Sequence, residues 1–165
     1  MLSIRAFKTE DAKSLSFLLN NRNIWNKLRD YLPHPYTEKD AVEFIEFCHS
    51  QKPSTHFAID HNGELIGSIG LTLQDDVHRK SAEIGYWIGE AFWGQGFATK
   101  AVELVLDYGF KHLDIVRIFT GVFENNKASQ KVLLKNGFVI EGVHKKAIYK
   151  NETFYDEICF AKIKA

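Results

Sequence analysis

The chain has 165 residues, 45% of them hydrophobic and 25% charged, which is the make-up of a folded domain with a proper core and not of a disordered segment. Lysine plus arginine and aspartate plus glutamate both number 21, so the formal net charge is zero, which argues against a nucleic-acid binder working through bulk charge. The two cysteines, Cys48 and Cys159, lack ligand or disulfide-framework spacing, and no apolar run is long enough for a signal peptide or a membrane span. The expectation is a cytoplasmic protein of one domain, residues 1–165, with no nucleic acid and no membrane among its partners.

Leu2, Ile4 and Ala6 alternate with polar residues and predict a short strand. Thr9 reads as an N-cap, followed by an amphipathic helix carrying Ala12, Leu15, Leu18 and Leu19. A second short helix with Ile24, Trp25 and Leu28 runs to about Tyr31. Pro33-His34-Pro35-Tyr36 is a loop, because proline is excluded from a helix interior. Thr37 and Asp40 then form a capping box for a helix ending near Pro53. His61-Asn62-Gly63-Glu64 is a hairpin signal between a strand around Phe57 and Ile59 and a return strand to Leu73.

Residues Glu83 to Ala101 are the informative stretch. Ala82, Ile84, Tyr86 and Ile88 alternate as in a strand, while Ala98, Ala101, Val102, Val105 and Leu106 have helical spacing to about His112. Between them Gly94 and Gly96 mark a turn. Strand, glycine turn and helix start can hold an anion, because the free amides of the first helical turn point at it. The Lys-Ser/Thr of a phosphate-binding loop is missing, and the glycine spacing does not fit a dinucleotide fingerprint. A plain tight turn is the competing reading. Val116 to Val122 reads as a further strand. Asn126 to Ser129 opens a helix with Val132, Leu133 and Leu134 inward and Gly137 at its end. Phe138–Ile148 and Thr153–Ile163 are a final strand pair. The order implies a mixed α/β sheet with one crossover between near-parallel strands. The seven histidines show no metal-ligand spacing, so no metal is expected.

Residues 83–102 (EIGYWIGEAFWGQGFATKAV) followed by 122–142 (VFENNKASQKVLLKNGFVIEG) resemble the GNAT acetyltransferases, in particular the ribosomal-protein N-acetyltransferase-like branch. The likeness takes in 31–46 (YLPHPYTEKDAVEFIE) and 150–163 (KNETFYDEICFAKI), hence almost the whole chain. It implies the GNAT fold, a mixed central sheet of about seven strands with helices on both faces. It implies acetyl-CoA as co-substrate, with its pyrophosphate on Trp93, Gly94, Gln95, Gly96, Phe97, Ala98 and Thr99. Trp93 stands where many relatives carry Gln or Arg and also reads as packing under the loop.

By the same resemblance, main-chain groups of Tyr86, Trp87 and Ile88 serve the pantetheine arm, and Asn126 bonds a pantetheine amide. A tyrosine acid common in the family is replaced by Leu133, so Ser129 is the expected donor to the departing thiolate. Glu83 matches a position where some relatives carry a general base; a water chain is the alternative. Tyr31, His34, Tyr36 and Tyr149 are the expected acceptor wall. Ile148 replaces an acid found in some relatives, with Glu141, Glu152, Asp156 and Glu157 as possible substitutes. The implied activity is acetyl transfer to a primary amine by direct attack, the acceptor being a protein N-terminus or a small molecule. A CoA-binding module without turnover is the other reading, and the chain is expected to be a monomer or homodimer.

Overall fold

The computed structural model describes residues 1–165. Its elements are β1 (Leu2–Arg5), α1 (Ala12–Leu19), α2 (Arg22–Trp25), α3 (Glu38–Ser50), β2 (His56–His61), β3 (Glu64–Leu73), β4 (Ser81–Ile88), α4 (Phe97–His112), β5 (Arg117–Phe123), α5 (Lys127–Lys135), β6 (Val139–Lys150) and β7 (Thr153–Ile163). They form one seven-stranded sheet in the order β1-β2-β3-β4-β5-β7-β6. Only β4 and β5 are parallel, joined by the crossover helix α4. No helix is long and apolar enough to cross a membrane.

Strand alternation divides the core in two. On one face Ile66, Ile84, Ile88 and Ile118 pack with Val102 and Val105 of α4 and Leu133 of α5. On the other, Ala58 and Leu65 pack with Leu15, Leu19, Ile24, Ala41 and Ile45 of the first three helices, and Trp87 joins them. Tyr86 therefore faces α4 and α5, whereas Trp87 faces α1 to α3.

The parallel ladder is short. Ser81 pairs with Arg117, Ala82 with Ile118 and Glu83 with Phe119, and there it ends. β4 stays paired with β3 up to Ile88, and β5 stays paired with β7 up to Phe123. The sheet is thus split from Ile84 and Thr120 onward, between two halves that are each intact.

Local expectations hold for α3, where the Thr37 hydroxyl accepts the Asp40 N–H at 3.2 Å and the Asp40 carboxylate accepts the Thr37 N–H at 2.8 Å. Gly137 follows α5 with φ +83°, as a helix stop requires. Other boundaries move. The turn before α1 starts at Lys8 rather than Thr9, since the Asp11 carboxylate accepts the Lys8 N–H at 2.7 Å. Helix α2 ends at Trp25 rather than near Tyr31. Leu134 is half exposed, because only Leu133 and Val132 lie on the inner side of α5.

Candidate active site

The split opens a cavity of about 880 Å³ that reaches both faces of the sheet. Its walls include Ile84 to Ile88 of β4 and Thr120 to Phe123 of β5.

On the α4 face, Gly94 and Gly96 have φ +76° and +80°. A side chain would meet nothing there, so it is the backbone conformation that requires glycine. The turn delivers the chain into α4 with the N–H groups of Phe97, Ala98 and Thr99 unpaired by the helix, as at any helix start. Asn136 Nδ2 donates to the Thr99 carbonyl at 3.2 Å, docking the end of α5 against this first turn. Lys131 and Lys135 also line the cavity. The spacing of Lys127, Lys131 and Lys135 makes a basic stripe that could have been read from the sequence. Amides, helix dipole and ammonium groups here all favour an anion.

Trp93 does more than pack. Its indole N–H donates to the Ile88 carbonyl at 2.7 Å, and the Lys27 ammonium sits 4.6 Å from its ring centroid. The Ile88 carbonyl, one of the main-chain groups expected to face a bound pantetheine, is therefore already engaged. Gln95 lies on the exposed turn outside the cavity wall.

Deeper in, the Tyr86 and Ser129 hydroxyls lie 2.7 Å apart, and either can donate. Burial pushes the Tyr86 phenol up to about 12, partly offset by its bond to Ser129, so it keeps its proton at neutral pH. Asn126 caps α5 by accepting the Ser129 N–H at 3.3 Å on Oδ1. That bond fixes Ser129, and the Asn126 amide nitrogen remains a donor. The sequence suggested only the main chain of Tyr86; the phenol behind Ser129 was missed because strand alternation does not say which helix residue a side chain meets.

On the opposite face, Glu83 accepts a hydrogen bond from Arg29 at 2.8 Å, both lining the cavity. Glu157 of β7 reaches across Gly121 of β5, whose missing side chain leaves room for the carboxylate. Of the four acids considered as substitutes at the acceptor side, Glu157 is the one in the cavity wall. Glu141 is bound by Arg117 at 2.6 and 2.8 Å, Asp156 by Lys145 and the Lys146 N–H, and Glu152 is exposed in the β6–β7 turn. Tyr31, Tyr36 and Tyr149 line the cavity, with Tyr36 buried. His34 does not: its ring stacks beside Trp25, 5.5 Å between centroids, which withdraws it from the expected acceptor wall.

Two further residues went unnoticed in the sequence. The His56 ring covers Gly70 at the cavity's edge, and burial lowers its pKa so that it is neutral at neutral pH. Lys150, 3% exposed, donates to the Leu28 carbonyl at 2.7 Å, pairs with Asp30 at 2.9 Å and lies 3.5 Å from the Trp25 ring centroid. It pins the loop after α2 to the last hairpin. Finally, although the histidines lack metal spacing in sequence, the fold brings donor atoms of His144, Glu157 and Cys159 within 4.8 Å of one another.

A split parallel strand pair, a glycine turn feeding a helix and a second capped helix at the split define an N-acetyltransferase of the GNAT class. Residues 1–139 match the family described as "Acetyltransferase (GNAT) domain", and the chain belongs to that family. It is 35% identical over 168 residues to "Putative ribosomal N-acetyltransferase YdaF" of Bacillus subtilis (strain 168), covering 99% of this chain and 91% of that one. Among solved structures it superposes on RimL, a ribosomal L7/L12 α-N-protein acetyltransferase in complex with coenzyme A. The TM-score is 0.86 with 25% identity, covering 99% of this chain and 94% of that one. It also superposes on spermidine N-acetyltransferase from Vibrio cholerae, in complex with CoA and spermine. There the TM-score is 0.84 with 26% identity, covering 99% and 95%.

Proposed function

We propose that the protein transfers acetyl from acetyl-CoA to a primary amine, in the first place the α-amino group of a protein N-terminus, in the cytoplasm. One observation carries this reading: the split between β4 and β5 joins an anion cradle on one face to two carboxylates on the other. Acetyl-CoA lies with its pyrophosphate on the amides from Gln95 to Thr99, helped by Lys131 and Lys135, and its pantetheine along β4 within reach of Asn126. The thioester then sits in the split, near Ser129. The acceptor approaches between Glu83 and Glu157, bordered by Tyr31, Tyr36 and Tyr149.

The amine must lose a proton before it attacks. An α-amine has a pKa near 8 against about 10.4 for lysine, so a useful fraction is neutral at physiological pH. Glu157, unengaged by any arginine or lysine, attracts the ammonium, and its proton leaves to Glu83 or through water. Nitrogen attacks the carbonyl carbon, and a main-chain N–H beside Trp87 holds the oxyanion. The carbon–sulfur bond breaks, the thiolate takes the Ser129 proton, and Tyr86 resupplies Ser129 across their 2.7 Å hydrogen bond, while the proton that the new amide nitrogen sheds returns through water to Tyr86. Both substrates are held together, so no covalent enzyme intermediate is needed.

The two carboxylates also favour a second reading, a small polycationic amine, in keeping with the likeness to the spermidine enzyme. Mass spectrometry of products from an acceptor panel separates the two. Acetylated peptides with free Ala or Ser N-termini support the first reading; turnover confined to polyamines replaces it with the second. Tight CoA binding without any product would make the protein a binding module.

A further inference from the structure

We propose that His144, Glu157 and Cys159 form a binding site for a zinc-type divalent transition-metal ion, and that its occupancy inhibits acetyl transfer by neutralising Glu157 at the acceptor pocket. The three side chains share one face of the β6–β7 hairpin. His144 and Glu157 are a directly opposed cross-strand pair, and Cys159 is two residues along β7. His144 Nδ1 lies 3.4 Å from Glu157 Oε1 and 3.6 Å from Cys159 Sγ. Tetrahedral zinc with ordinary N, O and S bond lengths separates its ligand atoms by about 3.3–3.6 Å. Two of the three spacings thus already match, and the third, Glu157 to Cys159, lies within 4.8 Å.

The hairpin backbone under these residues is braced. β6 bulges just after His144, and Asp156 holds the bulge through the Lys146 N–H at 2.9 Å and Lys145 at 3.1 Å. The Asp156 N–H in turn donates to Glu124 at 2.8 Å. Lys145 is thereby drawn away from the cluster. The donor set of imidazole, thiolate and carboxylate suits zinc or cobalt, and not magnesium or calcium, which take oxygen ligands. Binding releases the Cys159 thiol proton to solvent, because the thiolate is the ligand. Three protein ligands leave a fourth position for water.

The inhibitory half rests on the acceptor reading of Glu157; the binding half does not. With the metal bound, thiolate and carboxylate charges are neutralised and Glu157 is held between His144 and Cys159. The pocket loses its free anion, so the KM for a cationic amine rises while acetyl-CoA binding is unaffected.

Cobalt(II), titrated into the metal-free protein, is the direct probe. One equivalent should give a sulfur-to-cobalt charge-transfer band with the visible bands of a tetrahedral ion. Cys159→Ser should abolish the charge-transfer band, His144→Ala should weaken binding at least about tenfold, and Cys48→Ala should leave the spectrum intact. No band at excess cobalt, or a band that survives Cys159→Ser, overturns the site. Zinc inhibition is then followed by mass spectrometry of the acetylated product, since zinc also binds the thiol of free CoA. Inhibition should be relieved by raising the amine concentration and weakened at least about tenfold in Cys159→Ser. Equal inhibition of wild type and Cys159→Ser overturns the regulatory half, even if cobalt binds.

Discussion

Ser129 holds its place through two neighbours, the Asn126 cap and the Tyr86 phenol. If Ser129 donates the proton to CoA thiolate, Ser129→Ala should lower kcat about a hundredfold with little change in acetyl-CoA affinity. Tyr86→Phe should lower it less, by about tenfold, because water can reprotonate Ser129. Pre-steady-state rates with calorimetric affinities check both. On the acceptor side, Glu157→Gln should raise the amine KM about tenfold while leaving kcat within about threefold. Glu83→Gln should instead flatten the rise of kcat/KM with pH; an unchanged profile would assign deprotonation to water. That Glu83 and Ser129 line the cavity could be anticipated from the sequence because each sits within a motif. Glu157 was only one of four possible acids there, because placing it required knowing that β7 lies beside β5 and that Gly121 stands opposite. Charge and type are written in the sequence, but which strand faces which is a long-range outcome.

At the scale of elements, alternation and glycine placement were readable, since both follow from local backbone chemistry. All seven strands fall where the apolar residues alternate, within a few residues at their ends. The break between β4 and β5 is not written in the local pattern: nothing in Ile84 to Ile88 alone says that pairing stops after Glu83. The same limit explains the shortened α2, whose apparent continuation past Trp25 reflects Leu28 packing from a turn. The glycine turn offers a direct test. Gly96 stands at φ +80° with open space around it, so Gly96→Ala clashes with nothing but strains the backbone by about 1–2 kcal/mol. Relief of that strain would tilt the amides of Phe97 to Thr99. Acetyl-CoA affinity should fall about tenfold with the melting temperature shifted by only a few degrees, as calorimetry and thermal melts would show.

For the whole molecule, the first strand is fastened by charge. Arg5 bonds Asp11 at 2.8 and 3.1 Å and Asp60 at 2.7 Å, linking β1, the turn before α1 and β2. Burial alone would raise the two carboxyls, but the Arg5 hydrogen bonds, the N–H groups of Lys8 on Asp11 and Gly63 on Asp60, and the nearby positive charge together outweigh it and hold both below the usual range. A lowered folded-state value means that their contribution is present above the unfolded pKa of about 3.9 and is lost as pH falls through the folded value. Thermal melts should therefore decline below about pH 4, and Asp11→Asn should be less stable at neutral pH with a shallower decline in acid. The pairing of Asp11 was not legible locally, because Asp60, some fifty residues away, converges on the same guanidinium.

The cavity's passage through the sheet has a kinetic consequence. In the proposed arrangement donor and acceptor enter from different sides, so neither has to depart for the other to bind. Binding should occur in random order, and free CoA should compete with acetyl-CoA but not with the amine. The same openness permits a dead-end complex in which spent CoA and a fresh amine occupy the protein together. As CoA accumulates, excess amine should trap it and slow turnover, so the enzyme would respond to the ratio of acetyl-CoA to CoA more steeply when its acceptor is abundant.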